Sequence, residues 1–137
     1  GENVLALAHA KGLGAGEALL ANLAGDLCEG TGSNVFVVLD GQAMTPPLSS
    51  GCLAGITRGL VLEWCAEAGL EVVERPIALE ALATAGEVFL TSSTRDVHPV
   101  VAVLDVDGDS MWTAPVGPVT SSVAEVFGAR AAADWNP

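Results

Sequence analysis

Two stretches of this chain place chemistry-bearing groups in small, flexible surroundings. Glu29 precedes the run at 30–34, which consists of glycines and small polar residues. Because a packed strand in this region would favour larger side chains, the run indicates a bound ligand or a tight bend. Gly55, Ile56 and Thr57 stand at a predicted helix start, where unpaired N–H groups and the helix dipole favour an anion. Each stretch also has an ordinary interpretation: a solvated acid, and a helix start whose Thr57 satisfies its own first turn.

A third stretch carries hydroxyl groups directly after an apolar segment. Ser92 and Ser93 follow a predicted buried strand, and the ends of such strands often build ligand sites in α/β proteins. Thr94 and Arg95 come next, and the guanidinium fork of Arg95 could bind a carboxylate through two hydrogen bonds. The alternative for Arg95 is a surface ion pair with Asp96 or another acid.

Hydrophobic periodicity and turn residues predict alternating helices and strands. The predicted helices cover 3–11, 55–68, 79–85 and 119–133, and the predicted strands cover 17–23, 27–29, 34–39, 70–75, 88–91 and 97–106. Asn3 is a candidate cap for the first helix, which we expect to end at Gly12 and Gly14. Asp40 and Gly41 give a hairpin turn signal. With no linker or repeat, residues 1–137 are expected to form one α/β domain.

Composition narrows the possible functions. The net charge of −12 disfavours nucleic acid as a partner, and no apolar run reaches the length of a membrane span. Cys28, Cys52 and Cys65 lack zinc-site spacing relative to each other and to histidine, so we expect reduced thiols, no metal and a cytoplasmic location.

The order and spacing of residues 29–36, 53–58 and 89–100 resemble a known family, the fold-type IV pyridoxal-phosphate enzymes. This family includes branched-chain and D-amino-acid aminotransferases and 4-amino-4-deoxychorismate lyase. The resemblance covers nearly the whole chain and implies the C-terminal domain of the D-amino-acid aminotransferase-like fold, with a mixed sheet or pseudo-barrel flanked by helices. It also implies pyridoxal 5'-phosphate as cofactor, a small-molecule substrate and a homodimer.

The resemblance implies a role for particular residues. It places cofactor contacts at Glu29, Leu53, Gly55, Ile56, Thr57, Ser92 and Ser93, and substrate contacts at Thr94 and Arg95. The carboxylate of Glu29 would bond to the pyridine nitrogen and raise the pKa of that nitrogen, which makes the ring a better electron sink. Leu53 would pack against the ring, while the phosphate would lie at Ile56 and Thr57.

One residue that the resemblance requires is missing. Relatives form a Schiff base through a lysine just before the segment that begins here at Glu2, so the catalytic lysine is expected upstream of Gly1. Lys11 is the only lysine in this sequence, and it matches a solvated helix position. We therefore expect this chain to be the later part of a longer protein, with no catalytic residue of its own and no N-terminal domain.

The same resemblance leaves three functions open. Residues 90–97 and 117–120 look most like proteins described as 4-amino-4-deoxychorismate lyase or class IV aminotransferase, and the lyase is the preferred hypothesis. The alternatives are an aminotransferase acting on branched-chain or D-amino acids, and a fragment that binds cofactor without catalysis.

Overall fold

The structure, a computed structural model, describes residues 3–10 and 16–135. Its strands are β1 (Asn3–Ala10), β2 (Glu17–Ala21), β3 (Leu27–Gly30), β4 (Asn34–Leu39), β5 (Gln42–Thr45), β6 (Val72–Glu74), β7 (Glu87–Ser92), β8 (Asp96–Asp105) and β9 (Ser110–Thr113). Its helices are α1 (Ile56–Glu67) and α2 (Pro118–Trp135), with 3-10 helices at Leu48–Ser50 and Leu79–Thr84.

The strands form one mixed sheet that curls on itself. The sheet order is β3-β2-β1-β8-β7-β4-β5-β6, with β9 also paired to β8. All pairs are antiparallel except β5 with β6. Four strands separate β3 from β4 in this order, yet residues 31–33 alone connect them, with a bridge between Gly30 and Ser33. Such a short connection requires the sheet to curl back, which confirms the predicted mixed sheet and pseudo-barrel.

Hydrophobic cores lie on both faces of the sheet. One contains Leu19, Val37 and Leu82 beneath the second 3-10 helix. The other joins α1 and α2 to the sheet through Phe36 and Phe89, whose stacked rings have centroids 4.8 Å apart. Because β4 and β7 contribute to both cores, their ends are held firmly, and β7 ends at the predicted site residue Ser92.

The prediction of a helix over residues 3–11 is wrong. Residues 3–10 form β1, which pairs with β2 on one side and β8 on the other. Ala6 and Ala8 are buried while Leu7 is exposed, so the short apolar run alternates with period two. Sheet pairing on both edges outweighs the helix propensity of alanine here. Asn3 therefore caps no helix.

Some predictions for the N-terminal region fall on residues that the structure does not describe. Gly12 and Gly14, the expected end of that helix, and Lys11, the expected solvated lysine, lie between the two described ranges. Gly1, upstream of which the Schiff-base lysine is expected, precedes the first described residue. The origin of the catalytic lysine therefore stays a prediction.

Most other predicted elements are confirmed, with shifted ends. The strand 34–39 and the hairpin turn at Asp40 and Gly41 match, both turn residues having positive φ. The predicted strand 17–23 ends at Ala21, and the helix at 79–85 is a 3-10 helix. Two short strands, β5 and β9, were not predicted because each has only four residues beside turn or proline residues.

A buried carboxylate secures the start of α2. Glu87 accepts hydrogen bonds from the backbone N–H groups of Val119 (3.1 Å) and Thr120 (2.7 Å). Gly117 makes room for it, since a Cβ there would lie 2.2 Å from the Glu87 carboxyl carbon. This acid thus caps a helix from a neighbouring strand and has a structural role.

Replacing Trp112 by phenylalanine tests a buried hydrogen bond of the first core. The indole Nε1 donates to the backbone oxygen of Ala85 at 2.7 Å, and the side chain is buried. We expect W112F to lower the free energy of unfolding by about 1–3 kcal/mol, because the Ala85 carbonyl loses its donor. Urea unfolding measures this loss. A W112F chain as stable as wild type would contradict it.

Candidate functional site

A cavity of about 210 Å³ opens where the curled sheet meets the start of α1. Three segments line it: the β3–β4 turn, the loop into α1 and the end of β7. The lining residues are Glu29, Gly30, Thr31, Gly32, Ser33, Asn34, Leu53, Gly55, Ile56, Thr57, Thr91, Ser92 and Ser93. All seven predicted cofactor contacts are among them, although they lie far apart along the chain.

The start of α1 offers backbone N–H groups to this cavity. Gly55 is the N-cap, no side chain caps the helix, and its first turn holds no acid. The first helical backbone bond runs from Gly59 N–H to Gly55 O at 3.1 Å. The amides of Ile56 and Thr57 precede that bond, so they remain donors for an anion.

Arg58 anchors this helix start from behind. The buried guanidinium donates through Nη2 to the backbone oxygen of Pro46 (3.1 Å) and to Glu74 (2.6 Å). These contacts fix the first turn of α1 against the loop after β5 and against β6. The helix start is therefore a rigid part of the cavity wall.

Glu29 and Asn34 together fix the loop that leads into α1. The Leu53 N–H donates to Glu29 Oε1 at 2.6 Å, and the Asn34 side-chain amide donates to the Leu53 carbonyl at 2.8 Å. The second oxygen of Glu29 has no partner within the described part of the chain. The Leu53 side chain is 73% exposed, which leaves it available to pack against a ring.

Two polar residues of the cavity were not singled out from the sequence. Asn34 and Thr91 are paired in the register of β4 and β7, and both are buried. Thr91 Oγ1 has no hydrogen-bond partner among the described residues, although it is buried. Sequence patterns assign neither residue an individual role: Asn34 closes the small polar run at 30–34, and Thr91 is a polar residue in an otherwise apolar strand.

Thr94 and Arg95 line a second cavity, of about 340 Å³, beside the first. The two cavities share Thr31, Gly32 and Ser92 as a common wall. Arg95 forms an ion pair with Glu17, with Nη1 3.1 Å from Oε2. Its partner is thus a sequence-distant acid and not the adjacent Asp96.

Gly30 has a specific packing reason to be glycine, whereas a Cβ at Gly32 would make only an ordinary contact. A Cβ at Gly30 would lie 2.3 Å from Ser33 Oγ and 3.2 Å from Glu17 Cγ. A Cβ at Gly32 would lie 3.4 Å from Glu17 Oε1. The turn is therefore a tight bend packed against Glu17, and it also lines the first cavity.

The groups around the first cavity fit a phosphate joined to a polar heterocycle. Amide and hydroxyl donors in its wall suit a phosphate, the free oxygen of Glu29 suits a protonated ring nitrogen, and Leu53 offers an apolar surface. The unpaired hydroxyl of Thr91 is a further donor. No group of His, Cys, Asp and Glu with metal-site geometry occurs among residues 3–10 and 16–135.

Comparisons with known proteins agree with this fold and identify the family of the chain. The family described as Amino-transferase class IV matches residues 1–103. A putative branched-chain-amino-acid aminotransferase of Methanocaldococcus jannaschii is 39% identical over 125 residues, covering 91% of this chain and 42% of that protein. The chain belongs to the class IV aminotransferase family.

The solved structures that resemble this chain include an aminotransferase and a 4-amino-4-deoxychorismate lyase. An aminotransferase from Brucella abortus bound to the co-factor PLP has a TM-score of 0.75 and 30% identity, over 87% of this chain and 40% of the other. The 4-amino-4-deoxychorismate lyase from Pseudomonas aeruginosa has a TM-score of 0.68 and 35% identity, over 80% and 38%. The chain thus spans about two-fifths of the length of these relatives.

Other features carry less functional information. Cys28, Cys52 and Cys65 are all buried and form no disulfide with one another, and burial raises the pKa of the Cys65 thiol. In the described ranges, neither helix combines the length and the hydropathy needed to cross a bilayer.

Proposed function

We propose that residues 1–137 are the pyridoxal-phosphate-binding C-terminal domain of a class IV enzyme. The observation that supports this most is the convergence of Glu29, Ile56, Thr57, Ser92 and Ser93 on one cavity at an uncapped helix start. When bound, pyridoxal phosphate supplies an acceptor for the electrons released at the α-carbon of an amino acid.

The proposal gives tasks to particular residues of the cavity. The amides of Ile56 and Thr57 and the hydroxyls of Ser92 and Ser93 bind the phosphate, and Gly55 lets it approach the helix. Glu29 keeps a proton on the ring nitrogen, and Leu53 packs against the ring. Asn34 and Thr91 are added to these residues because both are polar, both are buried and both line the same cavity.

Substrate binding is assigned to the second cavity. Thr94 and Arg95 lie there, beside the wall shared with the cofactor cavity. Arg95 would bind the carboxylate of a small amino or keto acid. The lysine that binds the cofactor covalently would come from a segment upstream of Gly1, and an N-terminal domain and a second subunit would likewise come from outside these residues.

The whole protein's reaction is proposed to be transfer of an amino group between a branched-chain amino acid and a keto acid. The similarity to the putative branched-chain-amino-acid aminotransferase of Methanocaldococcus jannaschii favours it over the lyase preferred from sequence alone. The lyase, which would split aminodeoxychorismate into p-aminobenzoate and pyruvate, remains the second candidate because its Pseudomonas aeruginosa structure matches at 35% identity. We further propose a cytoplasmic homodimer.

Cofactor retention tests the binding proposal directly. Pyridoxal phosphate is added to the 137-residue chain, the sample is dialysed and the retained absorbance is measured; borohydride is then added, and the mass of the chain shows whether a covalent adduct has formed. We expect retained colour without a covalent adduct, and an unchanged result for Lys11→Arg. A folded chain that retains no cofactor would contradict the proposal, and an adduct on Lys11 would contradict the assignment of the covalent lysine to another segment.

Assays of the native protein containing this chain distinguish the two reactions. Amino-group transfer from leucine to 2-oxoglutarate without p-aminobenzoate formation would support the aminotransferase. Formation of p-aminobenzoate from aminodeoxychorismate, without transfer from leucine, would support the lyase.

Replacing Glu29 by glutamine tests the role of its carboxylate. With ¹⁵N-labelled pyridoxal phosphate, we expect the ring nitrogen to be protonated at neutral pH in the wild-type chain and unprotonated in E29Q. The cause is loss of the anionic partner, and a shift of one pKa unit corresponds to about 1.4 kcal/mol. Glu63→Gln, on the exposed side of α1, is the charge-matched control. Identical ¹⁵N shifts in E29Q and wild type would contradict the assignment.

A further inference from the structure

Glu17 makes more contacts at this site than its place at the start of β2 suggests. Its Oε1 accepts hydrogen bonds from the Gly32 N–H and from Ser33 Oγ, the latter at 3.0 Å. Its Oε2 accepts from Arg95 Nη1 at 3.1 Å. One carboxylate thus joins the β3–β4 turn to the β7–β8 loop, two segments that are far apart in sequence.

The surroundings of Glu17 differ from those of an ordinary surface ion pair. Its side chain is 10% exposed, whereas that of Arg95 is 41% exposed. Gly30 packs closely against Glu17, since a Cβ there would lie 3.2 Å from Glu17 Cγ and 3.3 Å from Oε1, so the turn approaches this side chain as closely as a glycine allows. A nearly buried carboxylate with three donors is held in one geometry, unlike exposed pairs that contribute little.

These contacts lie at the boundary between the two cavities. Gly32 belongs to the shared wall, Ser33 lines the cofactor cavity, and Arg95 lines the second cavity. Glu17 itself faces the second cavity only. A displacement of its carboxylate would therefore move both a part of the cofactor cavity and the proposed carboxylate partner.

We propose that Glu17 is a positioning residue: it fixes the turn at residues 30–34 and orients the Arg95 guanidinium toward ligands of the second cavity. Among the described residues, Glu17 is the one partner of that guanidinium, through Nη1, so Nε and Nη2 are available to a carboxylate. The effect on ligands rests on the proposed function, but the effect on the turn does not.

Hydrogen exchange in the cofactor-free 137-residue chain tests the turn. We expect Glu17→Ala to speed exchange of the Gly32 amide by about tenfold or more, because that amide loses its acceptor. The Phe89 amide, in the middle of β7, should change by less than about threefold. Glu17→Gln keeps an oxygen for Gly32 and should leave its rate within about threefold of wild type. A Gly32 amide in E17A that exchanges at the wild-type rate would overturn the proposal.

Two further variants keep this test decisive. If E17A unfolds the chain, Glu17→Asp replaces it: the charge stays, but the shorter side chain cannot reach both loops, and the Gly32 amide should again exchange faster. An unchanged rate in E17D would overturn the proposal. Glu80→Gln makes the same charge change as E17Q at an exposed position of the second 3-10 helix and should alter neither rate.

The second part of the proposal, that Glu17 orients the Arg95 guanidinium, is tested by titrating a probe acid, 4-methylpentanoate, into the cofactor-loaded chain. We expect Arg95→Gln to raise the dissociation constant about fivefold to tenfold and E17Q about threefold. The double variant should bind no more weakly than R95Q, because Glu17 acts through Arg95.

Two outcomes would overturn the proposed effect of Glu17 on Arg95. Tighter binding of the probe in E17Q would show that Glu17 competes for the guanidinium, and additive losses in the double variant would show that the two residues act independently. A wild-type chain that binds no probe would count against the proposed substrate site, while amide exchange still decides on Glu17.

Discussion

Replacing Gly55 by alanine is expected to weaken the binding of pyridoxal phosphate by about tenfold to a hundredfold. A Cβ at this position would lie 2.2 Å from Asn34 Oδ1. The Asn34 side chain would have to move, and it would lose its bond to Leu53, which places the loop before α1. Loss of a buried polar contact costs about 1–3 kcal/mol, and each 1.4 kcal/mol is tenfold in affinity.

The control for Gly55→Ala lies one turn further along the same helix. A Cβ at Gly59 would meet nothing within 4 Å, so Gly59→Ala adds the same methyl group without a clash. It should leave the dissociation constant unchanged and stabilise the chain slightly, because alanine favours helix over glycine. Equilibrium titration followed by cofactor absorbance measures both variants. Equal affinities for G55A and G59A would contradict this account of the loop.

Replacing Phe89 by alanine is expected to lower the free energy of unfolding by about 3–5 kcal/mol. Phe89 is fully buried, and its ring stacks on Phe36 at 4.8 Å with 9° between the planes. A domain of ordinary stability has about 5–15 kcal/mol in total, so much of the chain could be unfolded at 37 °C. Urea unfolding gives the value, since the midpoint shifts while the slope stays constant.

Phe89→Leu separates lost volume from lost ring stacking. Leucine refills much of the space, so its loss should be clearly smaller than that of F89A. Both variants should weaken cofactor binding only in proportion to the unfolded fraction, because Phe89 does not line the cavity. A loss below about 1 kcal/mol in F89A would contradict the assigned role of this core.

The sequence predicts the elements of this fold well where the local pattern and the tertiary contacts agree. The strand 34–39 combines β-branched and aromatic residues with a hairpin turn, and it is buried on both faces as β4. Residues 3–10 show the opposite case, since their alanines fit either a helix or the small buried side of a strand. Pairing with β2 and β8 determines the outcome, and no local pattern contains that information.

The residues of the candidate site also differ in whether the sequence could predict them. The residues at 29, 55–57 and 92–93 were predicted through the resemblance of their motifs to a family, because their types alone also suit ordinary structural roles; the structure brings them to one cavity. The partner of Arg95 could not be predicted, because Glu17 is 78 positions away and several other acids were possible. Asn34 and Thr91 were missed because only the β4–β7 register shows that they are adjacent.

The short link between β3 and β4 has a consequence for how this chain folds. Since 31–33 join strands that the sheet order separates widely, the cavity exists only after distant parts of the chain have met. Topologies with many such long-range contacts fold slowly, and a ligand of the closed form cannot bind before closure. We therefore expect added cofactor to slow unfolding and to raise the melting temperature by a roughly constant step for each tenfold rise in its concentration above the dissociation constant, without speeding the refolding of the denatured chain.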